Sequence, residues 1–481
     1  MSRPRCTTLA LDTEVDMLRE SSRCRIAAAV SSLLILPPHL ASGSSFGLLE
    51  QSASRLGTAF AGTGAAADDA TTLFYNPAGL TQLESAEVTV VASGIYIDSS
   101  FEDEGSQPAL GQPLGDEGGN AGGWNAVPSV YLALPFSETL AAGVAFNVPF
   151  GLSLDYGHDW IGRFQALRSE IQTYNFNPSI AWAPNESFRI GIGLNHQRAQ
   201  AELTNAVNYS AVVAQGLQQL AAAGQLPPAL VPSLVAANAG LEGTTILRGD
   251  DTAWGFNIGL LFVAPTGTRV GLSYRSALEY EIEGSVRFTS PTATNPIGAG
   301  IIAAASASGA PLANSRASVD LELPDSAILS VQHPITAKFA LLADAQWTGW
   351  SSIQELRVRR DTGEVISVTP ERWENSWRFA LGATYELSSS LTVRAGVARD
   401  STPVPGSTRT ARLPDADRTW VALGARWDMS DAIEVNVGYA HLFSDDVRLQ
   451  QNAGSTAANA FLIGEQASAV DIISVQAAYK F

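Results

Sequence analysis

Alternation with period two runs through most of this sequence, and it leaves few folds open. In "FRIGIGLN", Phe188, Ile190, Ile192 and Leu194 share one face, while Arg189, Gly191, Gly193 and Asn195 share the other. "RFALGATYEL" repeats the pattern, with Phe379, Leu381, Ala383, Tyr385 and Leu387 opposed to Arg378, Ala380, Gly382, Thr384 and Glu386. The last segment repeats it again: Ile473, Val475, Ala477, Tyr479 and Phe481 oppose Ser474, Gln476, Ala478 and Lys480. Strands of this kind carry one apolar face and one small or polar face.

Two architectures use such strands. A soluble sandwich buries the apolar face; an outer-membrane barrel turns it to lipid and lines its lumen with the polar face. Three features favour the barrel. Arg19, Arg23 and Arg25, the apolar run Ile26 to Leu36 and the small residues Ala41 to Gly43 have the order of a secretory signal. Residues 1–43 are therefore expected to be a signal peptide, and Met17 is an alternative start because residues 1–16 fit that pattern poorly. The final strand closes on the aromatic Phe481, and Trp160, Trp182, Trp350 and Trp427 sit near expected strand ends, as an interfacial girdle would require.

Loop lengths add a further argument. About fourteen strand candidates follow residue 86, joined alternately by short and long connections, as in bacterial barrels. The short ones centre on Ser137, Asn185, Thr266, Pro334, Ser389 and Ser430. The long ones are expected near 99–122, 156–168, 210–243, 290–316, 361–370, 401–412 and 445–467. The fold class predicted is thus all-β, a transmembrane antiparallel barrel over residues 84–481 in the bacterial outer membrane. After the signal, no run approaches the roughly 18 apolar residues of a membrane helix.

Composition excludes several functions. A formal net charge of −18 with only two lysines, Lys338 and Lys480, argues against nucleic acid as a partner. Cys6 and Cys24 lie inside the expected signal, so the mature chain has no disulfide or thiolate metal site. Four histidines remain, His158, His196, His333 and His441, none in a nucleophile or metal motif. No catalytic residue, metal or cofactor is expected, which leaves an outer-membrane lipid hydrolase as a weak alternative. A general diffusion porin is the other alternative.

Two of the long loops are apolar where solvated loops are usually polar. Ser210 to Gly240 places Val213, Leu217 and Leu220 at helical spacing, and Asn295 to Pro311 contains Ile301 and Ile302. Exposed apolar patches tend to mark binding surfaces, so Leu217, Leu220, Ile301 and Ile302 are candidates for ligand capture; packing of the two loops on each other is the plainer reading. In "GVAFNVPFG", Pro149 cannot donate to a β-ladder, so Asn147 to Gly151 mark an edge, a bulge or a bend.

The residues before the barrel lack strand alternation. There "EQSASRLGTAFAG", "ADDA" and "YNPAGL" occur in the order and spacing of the N-terminal hatch of the long-chain fatty-acid outer-membrane transporter family (FadL type), which includes aromatic-hydrocarbon uptake proteins. "NVPFGLSLDY", "WIGRFQA" and "NFNPSIAW" resemble the same family, and the likeness extends to the terminal "AYKF". The resemblance implies fourteen strands with residues 44–83 as a helical hatch, or plug, in the lumen. It places Asn76, Pro77 and Ala78 on the family's hatch motif, and an inward strand kink with a lateral opening at Asn147, Pro149, Phe150 and Gly151. The function it implies is passive transport of long-chain fatty acids or related hydrocarbons: capture at the loops, passage past the hatch, lateral exit. Lumen-facing Arg189, Arg378 and Arg394 are candidates for contact with a ligand carboxylate. The partners expected are a hydrophobic small molecule, outer-membrane lipid and lipopolysaccharide, and the barrel-assembly machinery, with the barrel a monomer.

Overall fold

The computed structural model describes residues 45–452 and 459–481. The expected signal peptide, its cleavage region and Ser44 lie outside the described residues. The rest forms one closed antiparallel barrel of fourteen strands, six of them interrupted once. They are β1 (Glu87–Asp103), β2 (Gly123–Pro135), β3 (Leu140–Asn147 and Gly151–Asp155), β4 (Arg168–Trp182) and β5 (Phe188–Asn208). Next come β6 (Glu242–Val263), β7 (Arg269–Arg275 and Leu278–Thr289), β8 (Ser315–Leu323 and Ser326–Pro334) and β9 (Phe339–Thr348 and Glu355–Arg360). The last are β10 (Val365–Pro370 and Ser376–Ser388), β11 (Leu391–Asp400), β12 (Arg418–Ser430), β13 (Ile433–Ser444 and Val447–Asn452) and β14 (Phe461–Lys480). Each strand pairs with its sequence neighbour, and β14 returns to β1 from Glu87↔Lys480 to Asp103↔Gly464. Pairing of the first and last strands closes the sheet on itself.

The alternation read from the sequence is the barrel's in–out period. Phe188, Ile190, Ile192 and Leu194 on β5 are exposed, as are Phe379, Leu381, Tyr385 and Leu387 on β10 and Ile473, Val475 and Tyr479 on β14. Their opposite faces, including Arg378, Ser474 and Gln476, are buried in the lumen. Apolar outside and polar inside inverts a soluble sandwich and suits lipid. The aromatic girdle needs correction. Trp182 and Trp427 are exposed, but Trp160 and Trp350 are fully buried inside the molecule. Trp160 stacks on Tyr156 at 3.9 Å, and its Nε1 donates to Ala166 O.

The short connections fall where expected. Two long ones do not. Residues 361–370 are not a loop: Arg360 N donates to Glu364 O and Gly363 N to Arg360 O, a tight hairpin with Gly363 at φ +86°. The Asp361-Thr362-Gly363 turn lets Glu355–Arg360 and Val365–Pro370 pair right up to it. Similarly β13 and β14 extend through most of 445–467.

The inner faces of several strands are stripped to glycine where residues 45–83 pass. A Cβ at Gly191 would collide with Pro77 and Ala78, and one at Gly259 with Asn76. Gly271 lies against Gly64, Gly382 and Gly396 against Thr58, and Gly424 against Gly57. These small residues on the polar face make room for a chain inside the lumen.

Candidate functional site

Residues 45–83 cross the lumen as short helical turns, α1 (Ala53–Leu56), α2 (Thr72–Tyr75) and a 3-10 turn (Pro77–Gln82), rather than as a domain with its own core. Polar groups of the wall hold them. Gly62 N donates to Asp344 Oδ1 at 2.6 Å, Gly64 N to Ser330 Oγ at 2.8 Å and Ala70 N to Glu87 Oε1 at 2.8 Å. Gln476 Nε2 donates to Asp69 Oδ2 at 2.9 Å, and Ser129 Oγ to Gln51 Oε1 at 2.7 Å. Asn76 sits at the break before Pro77, with extended backbone (φ −154°). Its Oδ1 accepts from Ala78 N at 3.1 Å, while Nδ2 donates to Gly64 O at 2.6 Å and to Leu260 O of β6 at 3.0 Å. One amide thus ties the turn, the preceding loop and the wall together.

The second feature is the break in β3. Proline at 149 cannot donate, and the ladder with β2 ends at Val130↔Phe146. Among the described residues, Gly123–Ser129 of β2 pairs with β1 alone, and Gly151–Asp155 of β3 pairs with β4 alone. At about 3.3 Å per residue this leaves roughly 20 Å of strand edge without its neighbour. Beyond it, Asp155 N donates to Ala121 O and reconnects the wall. The polar groups freed by the break are taken up from inside. Leu48 N donates to Pro149 O and Gly151 N to Phe46 O, both at 2.8 Å, and Gln51 Nε2 donates to Val148 O at 2.7 Å. Thus Asn147, Pro149, Phe150 and Gly151 come together with the start of the inner segment.

Two cavities flank this contact. The outer one is lined by Phe46, Leu152, Ile171, Leu203, Leu247, Ile282, Val319, Leu321, Ile353, Trp373 and Leu413, with Glu371 and Arg412 among them. The inner one is bounded by Leu48, Leu49, Phe74, Pro149, Phe150, Ile328 and Trp350, with Asn257, Arg275 and Arg378. Between them stand four rings: Phe46 lies 5.0 Å from Trp350, 5.8 Å from Trp373 and 6.0 Å from Phe150. These edge-on or tilted contacts are held by packing of the rings on one another. In the outer cavity burial raises the Glu371 carboxyl to about 7, against the opposing Trp373 Nε1–H (2.9 Å) and the Arg412 charge. Burial also lowers Arg412 to about 10, despite Glu371.

Above the barrel, α3 (Tyr209–Ala222) and α5 (Pro296–Ala305) pack together, with Ile301 against Gly216 so closely that a Cβ there would collide. Leu220 and Ile301 line an open apolar groove with Val212, Ile297 and Leu312. Leu217 and Ile302 do not; they are buried in the contact behind it with Tyr209, Val213 and α4 (Val231–Ala237). The loops both pack on each other and expose a groove.

The three candidate arginines are not equivalent. Arg378 lines the inner cavity, donates to Ala59 O and stands 5.1 Å from the Trp420 ring. Arg394 is covered by the inner segment and donates to Asn436 Oδ1 at 2.6 Å. Arg189 sits at the short-turn rim and donates to Glu186 O. Neither Arg189 nor Arg394 borders either cavity.

A sequence model of the family described as outer membrane protein transport protein (OMPP1/FadL/TodX) matches residues 36–481. The chain belongs to this family. It is a protein of the bacterial outer membrane. A family relative, the long-chain fatty acid transport protein of Escherichia coli, is 28% identical over 436 residues, covering 90% of this chain and 93% of its own. Among solved structures, a FadL homologue of Pseudomonas aeruginosa superposes with a TM-score of 0.80 at 24% identity, over 91% of this chain and 100% of its own. The toluene transporter TodX of P. putida gives 0.63 at 17% identity, over 86% of this chain and 94% of its own. These two likenesses establish the family's barrel for this chain. Sequence reasoning missed Phe46, Trp373, Arg275 and the buried, mutually bonded Asn175, Asn177, Asn195 and Asn257, of which Asn195 Oδ1 accepts from Arg275 Nη1 at 2.6 Å. Only the run "NFNPS" (Asn175 to Ser179), with polar residues at alternate positions, hinted at the last.

Proposed function

We propose that this protein carries hydrophobic small molecules passively across the outer membrane, and that residues 45–83 act as its plug. The observation that carries the reading is the break at 148–150, where backbone from inside the lumen replaces a missing neighbour strand. A sealed wall is the rule for barrels because unpaired backbone in lipid is costly. A break whose bonds come from a movable inner segment supports an exit to the side. The apolar ligand would collect in the groove between α3 and α5 and pass through the outer cavity, whose apolar lining suits such a molecule. Displacing Phe46 would then release both the ring cluster and the bonds to Pro149 and Gly151. A side exit spares the ligand the aqueous periplasm, where it gains no apolar contact. The E. coli relative's name, long-chain fatty acid transport protein, supports this substrate class, and the TodX description, toluene transporter, supports hydrophobes more widely. Proteoliposomes test it: the protein should admit a long-chain hydrophobe while excluding small sugars. Free passage of sugars would make it a diffusion porin instead.

A further inference from the structure

The outward face of the wall changes chemistry abruptly on its loop side. On β6 the exposed outward residues are Phe262, Leu260, Ile258, Phe256 and Trp254. At about 3.3 Å per residue and a tilt of about 40°, they cover roughly 20 Å of height, close to the apolar band of a barrel. The next outward positions are charged: Asp250 and Arg248 on β6, beside Arg198 and Glu202 on β5. Arg316 on β8 and Arg359 on β9 continue the arc. Ser285 of β7 stands opposite both Arg248 and Arg316, and Ser318 of β8 opposite both Glu283 and Arg359. The alternate residues of these strands, among them Leu203, Leu247, Ile282 and Val319, line the outer cavity within.

Each of these four guanidiniums rests on a carboxylate: Arg198 on Asp250 at 2.9 Å, Arg248 on Glu202 at 2.6 Å, Arg316 on Glu283 at 3.3 Å and Arg359 on Asp320 at 2.8 Å. The arginine side chains are well exposed, from 44% at Arg359 to 72% at Arg316, and exposed ion pairs contribute little. A phosphate, with its greater charge and three acceptor oxygens, takes a guanidinium from an exposed carboxylate. Asp250, Glu283 and Asp320 are each more than half exposed, so they return to water when displaced. The wall on the other side of the barrel differs. There the loop-side outward positions of β1 and β14 are acidic, with Asp98, Glu102 and Glu465, and the nearby arginines are Arg399 on β11 and Arg448 on β13.

We propose that this arc is a docking surface for lipopolysaccharide of the outer leaflet, with Arg198, Arg248, Arg316 and Arg359 holding its phosphate groups. Two observations select this partner. The arginines share their face with the apolar residues below, so the partner has acyl chains against Trp254 and Phe256 and anionic groups directly above them. From Arg198 to Glu202, which stands opposite Arg248, the strand climbs about 13 Å. A phospholipid carries phosphate at one height only. Lipopolysaccharide carries it on its lipid anchor and again on the saccharide above, which matches an arc of arginines at two levels. The bidentate fork of a guanidinium suits each phosphate.

The test measures binding of the intact, detergent-solubilised protein to a fluorescently labelled lipopolysaccharide of short saccharide core, by anisotropy. The comparison lipids are the same molecule chemically stripped of phosphate, and phosphatidylglycerol. Wild type should bind the phosphorylated form at least about tenfold more tightly than either, as charge-assisted pairs require. Arg198→Gln, Arg248→Gln, Arg316→Gln and Arg359→Gln combined should abolish this preference, and the corresponding four lysine substitutions should keep most of it. Arg399→Gln with Arg448→Gln, on the acidic side, should leave it intact. The pair Arg248→Gln and Arg316→Gln, expected to weaken the preference several-fold, decides the matter should the fourfold glutamine variant lose the heat-modifiable gel shift of a folded barrel. An unaltered preference in the folded glutamine variants would overturn the assignment. So would an equal loss on changing Arg399 and Arg448, or equal binding of phosphatidylglycerol or of the stripped lipid by the wild type.

Discussion

Replacing Asn76 with alanine removes three hydrogen bonds at one buried point: to Gly64 O, to Leu260 O and from Ala78 N. At about 1 kcal/mol net for each, with more where a buried carbonyl is left unpaired, the loss is about 3 kcal/mol. It falls on the seat of the inner segment. The barrel ladder does not include the Asn76 side chain, so heat-modifiable folding should persist. About 3 kcal/mol corresponds to roughly a hundredfold rise in the fraction of molecules with the segment unseated. In planar bilayers this should appear as frequent openings to small ions, against rare ones in wild type. Protease added from the loop side should also cut within 45–83 faster. Unchanged openings and unchanged cleavage in a folded Asn76→Ala protein would refute the reasoning that this amide holds the segment in place.

Other outcomes are expected. Leu381→Lys puts a charge on the outer face, where the leucine is 64% exposed, and should destabilise folding into vesicles by about 2–4 kcal/mol near the midplane; an unaltered urea midpoint would count against lipid contact there. Replacing Leu220 and Ile301 together with serine should weaken hydrophobe binding several-fold without loss of folding, whereas the same change at Leu217 and Ile302 should loosen the helix pair itself, visible as faster amide exchange in α3. Burial holds the Glu371 carboxyl near 7, so it is mostly neutral below that pH and charges above it. A ligand that dries the outer cavity favours the neutral form, so affinity should fall by up to about tenfold per pH unit above pH 7, and Glu371→Gln should flatten the profile.

Much of the barrel was legible because lipid outside and a crowded lumen inside impose opposite chemistry on alternate residues. The glycines at 191, 382 and 424 belong to that pattern, although the alternation does not reveal that a second chain segment rests on them. Pro149 was legible as a break since its missing donor is a property of the residue itself. What fills the break was not: Leu48 and Pro149 meet across 101 residues of chain. Trp160 and Trp350 were misread because a tryptophan near a strand end gives the same local pattern whether it turns to lipid or inward. Spacing alone makes residues 361–370 a loop, whereas Asp361-Thr362-Gly363 between extended residues is a hairpin signal. Nothing in the residues next to Arg275 in the sequence marks it out. Its distinction is that, among the described residues, it bonds to the neutral Asn195 Oδ1 and Phe74 O and to no carboxylate, which depends on strands brought together by closure of the sheet.

The central claim is that ligand leaves beside the break once the inner segment releases β3. Gly47 and Phe150 face each other there, between the bonds Leu48 N to Pro149 O and Gly151 N to Phe46 O. This is the close, non-hydrogen-bonded type of pair, within reach of a disulfide. The chain's only cysteines, Cys6 and Cys24, lie in the expected signal, so a Gly47→Cys/Phe150→Cys protein carries one defined pair. Uptake of hexadecanoate into proteoliposomes should stop when this pair is oxidised and return on adding dithiothreitol. Equal uptake by the oxidised and reduced protein would contradict the account.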